Sequence, residues 1–258
     1  MILDKFKLDD KVAIVTGASK GIGRALALGL AEAGADIAVA ARTESELQQL
    51  CEEITALGRK CMYVVCDMGK VDEITAMVRK VFGQFGRVDI LVNNAAVNIR
   101  RATLEVEESD WDFQMGINVK GAYFCAQEVA GLMKENGISG SIINICSNAS
   151  VVGLTDQVMY CTSKGALSQM TKAMALDLCS AGIRVNAIGP GLTGPTHLTE
   201  GIFHNPENLN LRLQRIPMHR VADPTELQGA AVYLASDASS YMTGHTIYVD
   251  GGWIINGL

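Results

Sequence analysis

Short apolar runs alternate with helical patterns along the whole chain, and this alternation limits the fold more than any other feature. Residues 11–16, 36–41, 62–66, 88–92, 141–146, 184–188 and 246–249 read as strands. Helical patterns cover 22–33, 44–57, 71–85 and 109–135, and a further helix begins near Val158. Near-continuous apolar strands have both faces covered, and strands that alternate with helices form a parallel sheet. Aromatic residues are only 5% of the chain, and Ala, Gly, Val, Leu and Ile dominate, as close packing of helices on such a sheet requires. The expectation is an α/β fold: one doubly wound domain over residues 1–258, with a seven-stranded parallel sheet and helices on both faces. Its least regular part is an excursion at 189–218; a long irregular stretch in a compact domain is usually functional.

Charge and cysteine usage exclude several functions. The net charge is −6 and no basic stripe exists, so nucleic acid is not an expected partner. No run of about 18 apolar residues is present, so no membrane span is expected. The first ten residues mix acids and bases without an apolar core, unlike a signal peptide, and a cytoplasmic location is expected. Seven scattered cysteines without a C-x-x-C pair form no disulfide framework and suit a reducing compartment. His197, His204, His219 and His245 lie apart from any cysteine pair and form no H-E-x-x-H, so no catalytic metal is expected.

The first strand runs into TGASKGIG at residues 16–23 and then into a helix. Glycines allow a tight turn and close approach of backbone amides to a phosphate, and the helix N-terminus adds its dipole. A lone glycine-rich turn is weak evidence; placed between the first strand and the first helix it supports a dinucleotide site. Gly17, Ser19, Lys20, Gly21, Ile22 and Gly23 are the candidates to hold the pyrophosphate. The second strand ends at Arg42, without the carboxylate that usually binds both ribose hydroxyls of NAD(H). Two cations, Lys20 and Arg42, and no acid favour NADP(H) over NAD(H).

Tyr160 and Lys164 are four residues apart at the start of a helix and therefore share a face. A phenol with its ordinary pKa of about 10 is only ~0.1% ionised at neutral pH. Lowering that pKa by about three units requires roughly 4 kcal/mol, which a neighbouring ammonium and a cationic nicotinamide can supply. A Tyr-x-x-x-Lys alone proves nothing. Ser147, however, follows the 141–146 strand at the sheet edge where such folds bind ligands, and its hydroxyl suits a substrate carbonyl. Asn118 sits inside the 109–135 helix, a poor place for a short amide unless it bonds across. Asn93 and Asn94 end the 88–92 strand at the same edge.

Taken together, in order and spacing, the glycine turn, Asn93-Asn94-Ala95, Asn118, Ser147, Tyr160, Lys164, Pro190-Gly191 and the YVDGG ending at 248–252 resemble the short-chain dehydrogenase/reductase family over essentially the whole chain. The resemblance implies a Rossmann fold with Tyr160 as general acid/base, Ser147 orienting the carbonyl and Lys164 holding the nicotinamide ribose. It makes Asn118 the residue that positions a water. Asp67 and Met68 would contact adenine, Asn94 a cofactor ribose, and Ile188, Pro190 and Gly191 the nicotinamide. Ala96 stands where the family usually has Gly, and Cys146 where Ser often precedes the catalytic serine. The 191–196 segment departs from family spacing by one residue, which leaves Thr193 and Thr196 as alternatives for the nicotinamide amide. A homotetramer built on the 109–135 and 158–181 helices is also implied.

The segment ending in Arg100 and Arg101 and the TIYVDGGW ending at 246–253 resemble the gluconate 5-dehydrogenase and polyol dehydrogenase branch. The expected substrate is a small secondary alcohol or ketone such as a sugar acid or polyol, with Arg100 or Arg101 on its carboxylate. The competing readings are a 3-oxoacyl-thioester reductase and a catalytically silent dinucleotide-binding scaffold.

Overall fold

In the computed structural model, described for residues 1–196 and 198–256, seven strands form one sheet. They are β1 (Val12–Thr16), β2 (Asp36–Ala41), β3 (Cys61–Val65), β4 (Ile90–Asn93), β5 (Ser141–Ile145), β6 (Arg184–Pro190) and β7 (Thr246–Val249). All pairs are parallel, in the order β3-β2-β1-β4-β5-β6-β7. The helices are α1 (Gly21–Glu32), α2 (Glu44–Ala56), α3 (Val71–Phe85), α4 (Glu108–Met115), α5 (Ala122–Glu135), α6 (Val158–Leu178), α7 (Glu200–Phe203), α8 (Pro206–Arg215) and α9 (Gln228–Ala235).

The two-residue period of the strands produces two cores, one on each face. Ala13 and Val15 of β1, with Ile37 and Val39 of β2, pack beneath α1, α2 and α9. Val12, Ile14, Ala38 and Ala40 face α3, α5 and α6. The chain starts at the centre of the sheet, runs outward through β2 and β3, and crosses back to β4. A crevice therefore opens beyond the carboxyl ends of β1 and β4, the ligand position in doubly wound sheets.

Three expectations need correction. The 109–135 helix is interrupted by a wide π turn, Gly116–Gly121, between α4 and α5. There the Asn118 amide leaves the helix to bond Val97, and Gly121 approaches the Met68 carbonyl so closely that a Cβ would lie 2.0 Å from its oxygen. Second, the 189–218 excursion is not structureless, because it holds α7 and α8. Asn205 caps α8 by accepting from the Asn208 amide at 3.1 Å, Pro206 occupies its first turn, and Leu209 and Leu213 pack toward Leu192, Ile202 and Trp253. Trp253 thus covers its own subunit's core, while Ile255 is exposed. Third, the cysteines are not all thiols: the turn from α2 into β3 brings Cys51 and Cys61 to a Cα separation of 5.2 Å, where they are bonded. Cys66, Cys125, Cys146, Cys161 and Cys179 are free.

Candidate active site

Beyond the ends of β1, β2 and β4 lies a cavity of about 340 Å³ lined by Gly17, Ser19, Lys20, Gly21 and Ile22, and by Arg42, Glu46, Asp67, Met68 and Asn94. Thr16 and Asn94 build its floor. The Thr16 hydroxyl accepts from the amides of Asn94 and Ala95 at 3.1 and 3.2 Å. The Asn94 side chain donates to the carbonyls of Thr16 and Gly17, each at 3.0 Å. Gly23 is required by this packing, since a Cβ there would lie 2.4 Å from the Asn94 amide nitrogen and the Gly17 carbonyl oxygen. Gly17 has φ +63°, and a Cβ on it would meet Ala95 at 2.7 Å. The first turn of α1 has no side-chain cap, so its N–H groups are directed at whatever occupies the crevice. Free helix amides, two cations and a bare glycine backbone fit the diphosphate and ribose of a dinucleotide.

One cavity residue escaped the sequence reading. Glu46, in the first turn of α2, lines the same space and forms an ion pair with Lys20 at 2.5 Å. The hydrogen bond to Glu46 pushes the Lys20 ammonium above its ordinary value. Arg42 is exposed and has no ion pair among the described residues. An acid therefore lines the cavity beside Lys20 and Arg42, one helical turn beyond the end of β2.

The chemical groups lie after β5 and in the first turns of α6, tied to the cavity wall through Val97, Asn118 and Ser163. Ser147 follows β5, is 7% exposed, donates to the Asn148 side chain at 3.0 Å and accepts from the Ala149 amide at 3.1 Å. Tyr160 and Lys164 share one face of α6, with the Lys164 Nζ 5.7 Å from the phenol ring centre. Lys164 is buried and donates to the Ile145 carbonyl at 2.7 Å. Burial lowers its ammonium to about 8, with Cys146 nearby opposing. Burial raises the Tyr160 phenol to about 12, while its hydrogen bond with Ser147 draws it down. Desolvation dominates at the phenol, and the lysine is turned to a main-chain carbonyl. Cys146 lies beneath the site with its thiol pushed by burial to about 11.

Asn118 is 1% exposed and fully engaged. It accepts from the Val97 amide at 2.8 Å and donates to the Val97 carbonyl at 2.9 Å and to Ser163 Oγ at 3.1 Å. Ser163 in turn donates to the Tyr160 carbonyl at 2.8 Å. Asn93 points away from the crevice, donating to Asn144 at 3.0 Å and to the Ala122 carbonyl at 3.1 Å. Asn144, inside the apolar run of β5, extends this ladder to Thr171 at 2.9 Å. Ile188 is fully buried in the core, whereas Pro190 ends β6, and Gly191 passes so close to Asp250 that a Cβ would lie 2.6 Å from its Cα. Of the two threonines, Thr196 lines the cavity against Gly21, while Thr193 is buried, donates to the Gly191 carbonyl at 3.3 Å and pairs with Ala222.

At the outer rim, Arg101 is committed: its side chain pairs with Asp110 at 3.0 Å and its amide bonds the Asp156 carbonyl. Arg100 is exposed and without an ion pair among the described residues. Burial, with the charge of Arg100 adding to it, lowers the Arg212 guanidinium of α8, which donates to Asn208 at 2.8 Å. Among the described residues, no group of three His, Cys, Asp or Glu is placed to share a metal ion, and no helix is long and apolar enough to cross a membrane. His197 lies outside the described residues.

The chain resembles known proteins along nearly its full length. Residues 17–254 match the family model described as enoyl-(acyl carrier protein) reductase. A 2-dehydro-3-deoxy-D-gluconate 5-dehydrogenase of Dickeya dadantii is 41% identical over 98% of this chain and 99% of its own. A 3-oxoacyl-[acyl-carrier-protein] reductase of Staphylococcus epidermidis is 37% identical over 94% of this chain and 98% of its own. The crystal structure of a gluconate 5-dehydrogenase from Burkholderia cenocepacia, in complex with NADP and tartrate, superposes with a TM-score of 0.94 at 36% identity, covering 98% of each chain. With its crevice at the β1/β4 crossover and its serine, tyrosine and lysine at the ends of β5 and α6, the chain belongs to the short-chain dehydrogenase/reductase family of oxidoreductases.

Proposed function

We propose that this oxidoreductase uses NADP(H) to interconvert a secondary alcohol and a ketone on a small sugar acid, with Tyr160 as the general acid/base. The observation that carries the reading is the grouping of Ser147, Tyr160 and Lys164, joined through Ser163, Asn118 and Val97 to the wall of a cavity suited to a dinucleotide. A bound nicotinamide dinucleotide supplies or accepts the hydride. Ser147 directs the substrate oxygen toward Tyr160, and in reduction the phenol gives its proton to that oxygen as the carbon receives hydride. Burial keeps the phenol protonated at neutral pH, as an acid in the reducing direction requires. Oxidation requires the reverse, and Lys164, charged below about pH 8, is the group that makes the phenolate affordable. Lys164 keeps ammonium protons for the nicotinamide ribose beyond the one given to Ile145. Asn118 acts as a positioning residue that ties the 97–101 segment to the first turn of α6.

Arg100, exposed and without an ion pair among the described residues, is the candidate to meet a sugar-acid carboxylate. The named relatives of the gluconate group support that substrate class, and the NADP in the Burkholderia structure supports the cofactor. A second reading, reduction of a 3-oxoacyl thioester, draws on the Staphylococcus relative. Exposed Trp111, Phe113, Tyr123 and Leu176 on α4, α5 and α6 favour a homotetramer, which light scattering tests. Replacing Tyr160 with Phe should lower turnover at least about 10³-fold and leave dinucleotide binding within about twofold. Undiminished turnover would refute the mechanism.

A further inference from the structure

The adenosine end of the cavity contains a conflict of charge. Lys20, at the N-cap of α1, is a natural partner for a 2′-phosphate, yet it is already engaged at 2.5 Å by Glu46. The Glu46 side chain is 26% exposed and lines the cavity together with Arg42 and Thr43, so its carboxylate shares the space that a phosphorylated ribose would enter. A phosphate group carries about −1.5 to −2 charges at neutral pH and accepts hydrogen bonds but offers few. To reach Lys20 it must displace or share the Glu46 pair and remain beside a second anion. An unphosphorylated ribose offers two hydroxyl donors instead, which a carboxylate accepts without opposing charge.

We propose that Glu46 is a specificity-determining residue, which competes internally for Lys20 and so limits the preference for a 2′-phosphorylated over an unphosphorylated adenine dinucleotide. The inference rests on the dinucleotide reading of this cavity. It assigns the two cations different duties: Arg42, unpaired, is the main phosphate ligand, and Lys20 is a reserve contact whose availability Glu46 controls. Glu200 of α7 also acts on Lys20, but its influence is smaller than that of Glu46 and it does not line the cavity. It serves as the control acid.

The test is calorimetric titration of the full chain with NADP⁺ and NAD⁺, and with the fragments 2′,5′-ADP and 5′-ADP, so that the readout is binding and not activity. Because the Lys20–Glu46 pair is solvated, Glu46→Gln should tighten NADP⁺ and 2′,5′-ADP by about three- to tenfold. Binding of NAD⁺ and 5′-ADP should stay the same or weaken by up to about threefold as the ribose partner is lost. Glu46→Ala should act in the same direction, Glu200→Gln should change the ratio by less than about twofold, and Lys20→Met should remove the gain caused by Glu46→Gln. Equal shifts for both cofactors, or a loss of 2′-phosphate affinity in Glu46→Gln, would overturn the proposal. A wild-type chain that binds neither dinucleotide is a separate result, which defeats the reading of the cavity itself.

Discussion

Replacing Asn118 with Leu removes an amide that bonds two separate segments, and the structure gives the scale of the loss. Three hydrogen bonds disappear: one from the Val97 amide, one to the Val97 carbonyl and one to Ser163. Each contributes about 1 kcal/mol net, and a main-chain group left without a partner costs about 1–3 kcal/mol when buried. Val97 is only partly buried, so water recovers some of this, and we expect a loss of about 2–4 kcal/mol. For a chain of this size that corresponds to a Tm lower by about 4–8 °C. Asn118→Asp should be no better, because it keeps the acceptor for the Val97 amide but sets a carboxylate against the Val97 carbonyl in a 1% exposed position. Since Ser163 links Asn118 to the Tyr160 main chain, turnover should fall more than dinucleotide affinity, by at least about tenfold against less than threefold. Urea denaturation and single-turnover kinetics read the two effects. A leucine variant within 0.5 kcal/mol of wild type, or one that loses cofactor affinity and turnover equally, would show that the π turn is held by something else.

Other substitutions probe the rest of the scaffold. Asp89 is 2% exposed at the opposite edge of the sheet, where it accepts from the Arg87 guanidinium at 2.7 and 2.8 Å and from the Val12 amide at 3.0 Å. Asp89→Leu should cost about 3–5 kcal/mol in urea denaturation and leave dinucleotide Kd unchanged. Gly23→Ala should abolish tight dinucleotide binding in calorimetry, because its Cβ displaces either the Asn94 side chain or the Gly17 carbonyl. Lys164 titrates at about 8 when folded and at its ordinary 10.5 when unfolded. Between those values the unfolded chain binds the extra proton, so this group destabilises the fold most below pH 8, and stability rises with pH across the window. Lys164→Met should therefore gain stability at pH 7, by at most about 3 kcal/mol less the lost bond to Ile145, and the gain should shrink toward pH 10.5. A constant difference from pH 7 to 10.5 would contradict the burial argument.

The strand pattern, the glycine turn and the grouping of Ser147, Tyr160 and Lys164 were legible because each depends on short-range spacing along a single strand or helix. Glu46 was not, since it lies beyond the end of β2 and only the helical turn of α2 returns its side chain to the cavity. The 204–210 stretch HNPENLN carries a capping signal, Asn205 followed by a proline and an acid, yet its polar composition equally suits a loop and only the packing of Leu209 and Leu213 decides for a helix. Asn144 sits in an otherwise apolar run, and nothing local reveals that Asn93 and Thr171 supply its partners. The Cys51–Cys61 bond depends on how α2 turns back on β3, which cysteine counting does not encode. The proximity of Tyr160 to Lys164 is readable from their spacing, whereas the burial that raises the phenol is not.

The most direct test of a sugar-acid oxidoreductase is the rate of NADPH oxidation with 5-ketogluconate, measured beside an acetoacetyl thioester and a simple aryl ketone, for the wild type and Arg100→Ala. The account predicts that the keto acid dominates in kcat/KM and that Arg100→Ala raises its KM by about tenfold or more with little change for the aryl ketone. A dominant rate on the thioester or the aryl ketone, with no effect of Arg100→Ala, would contradict it.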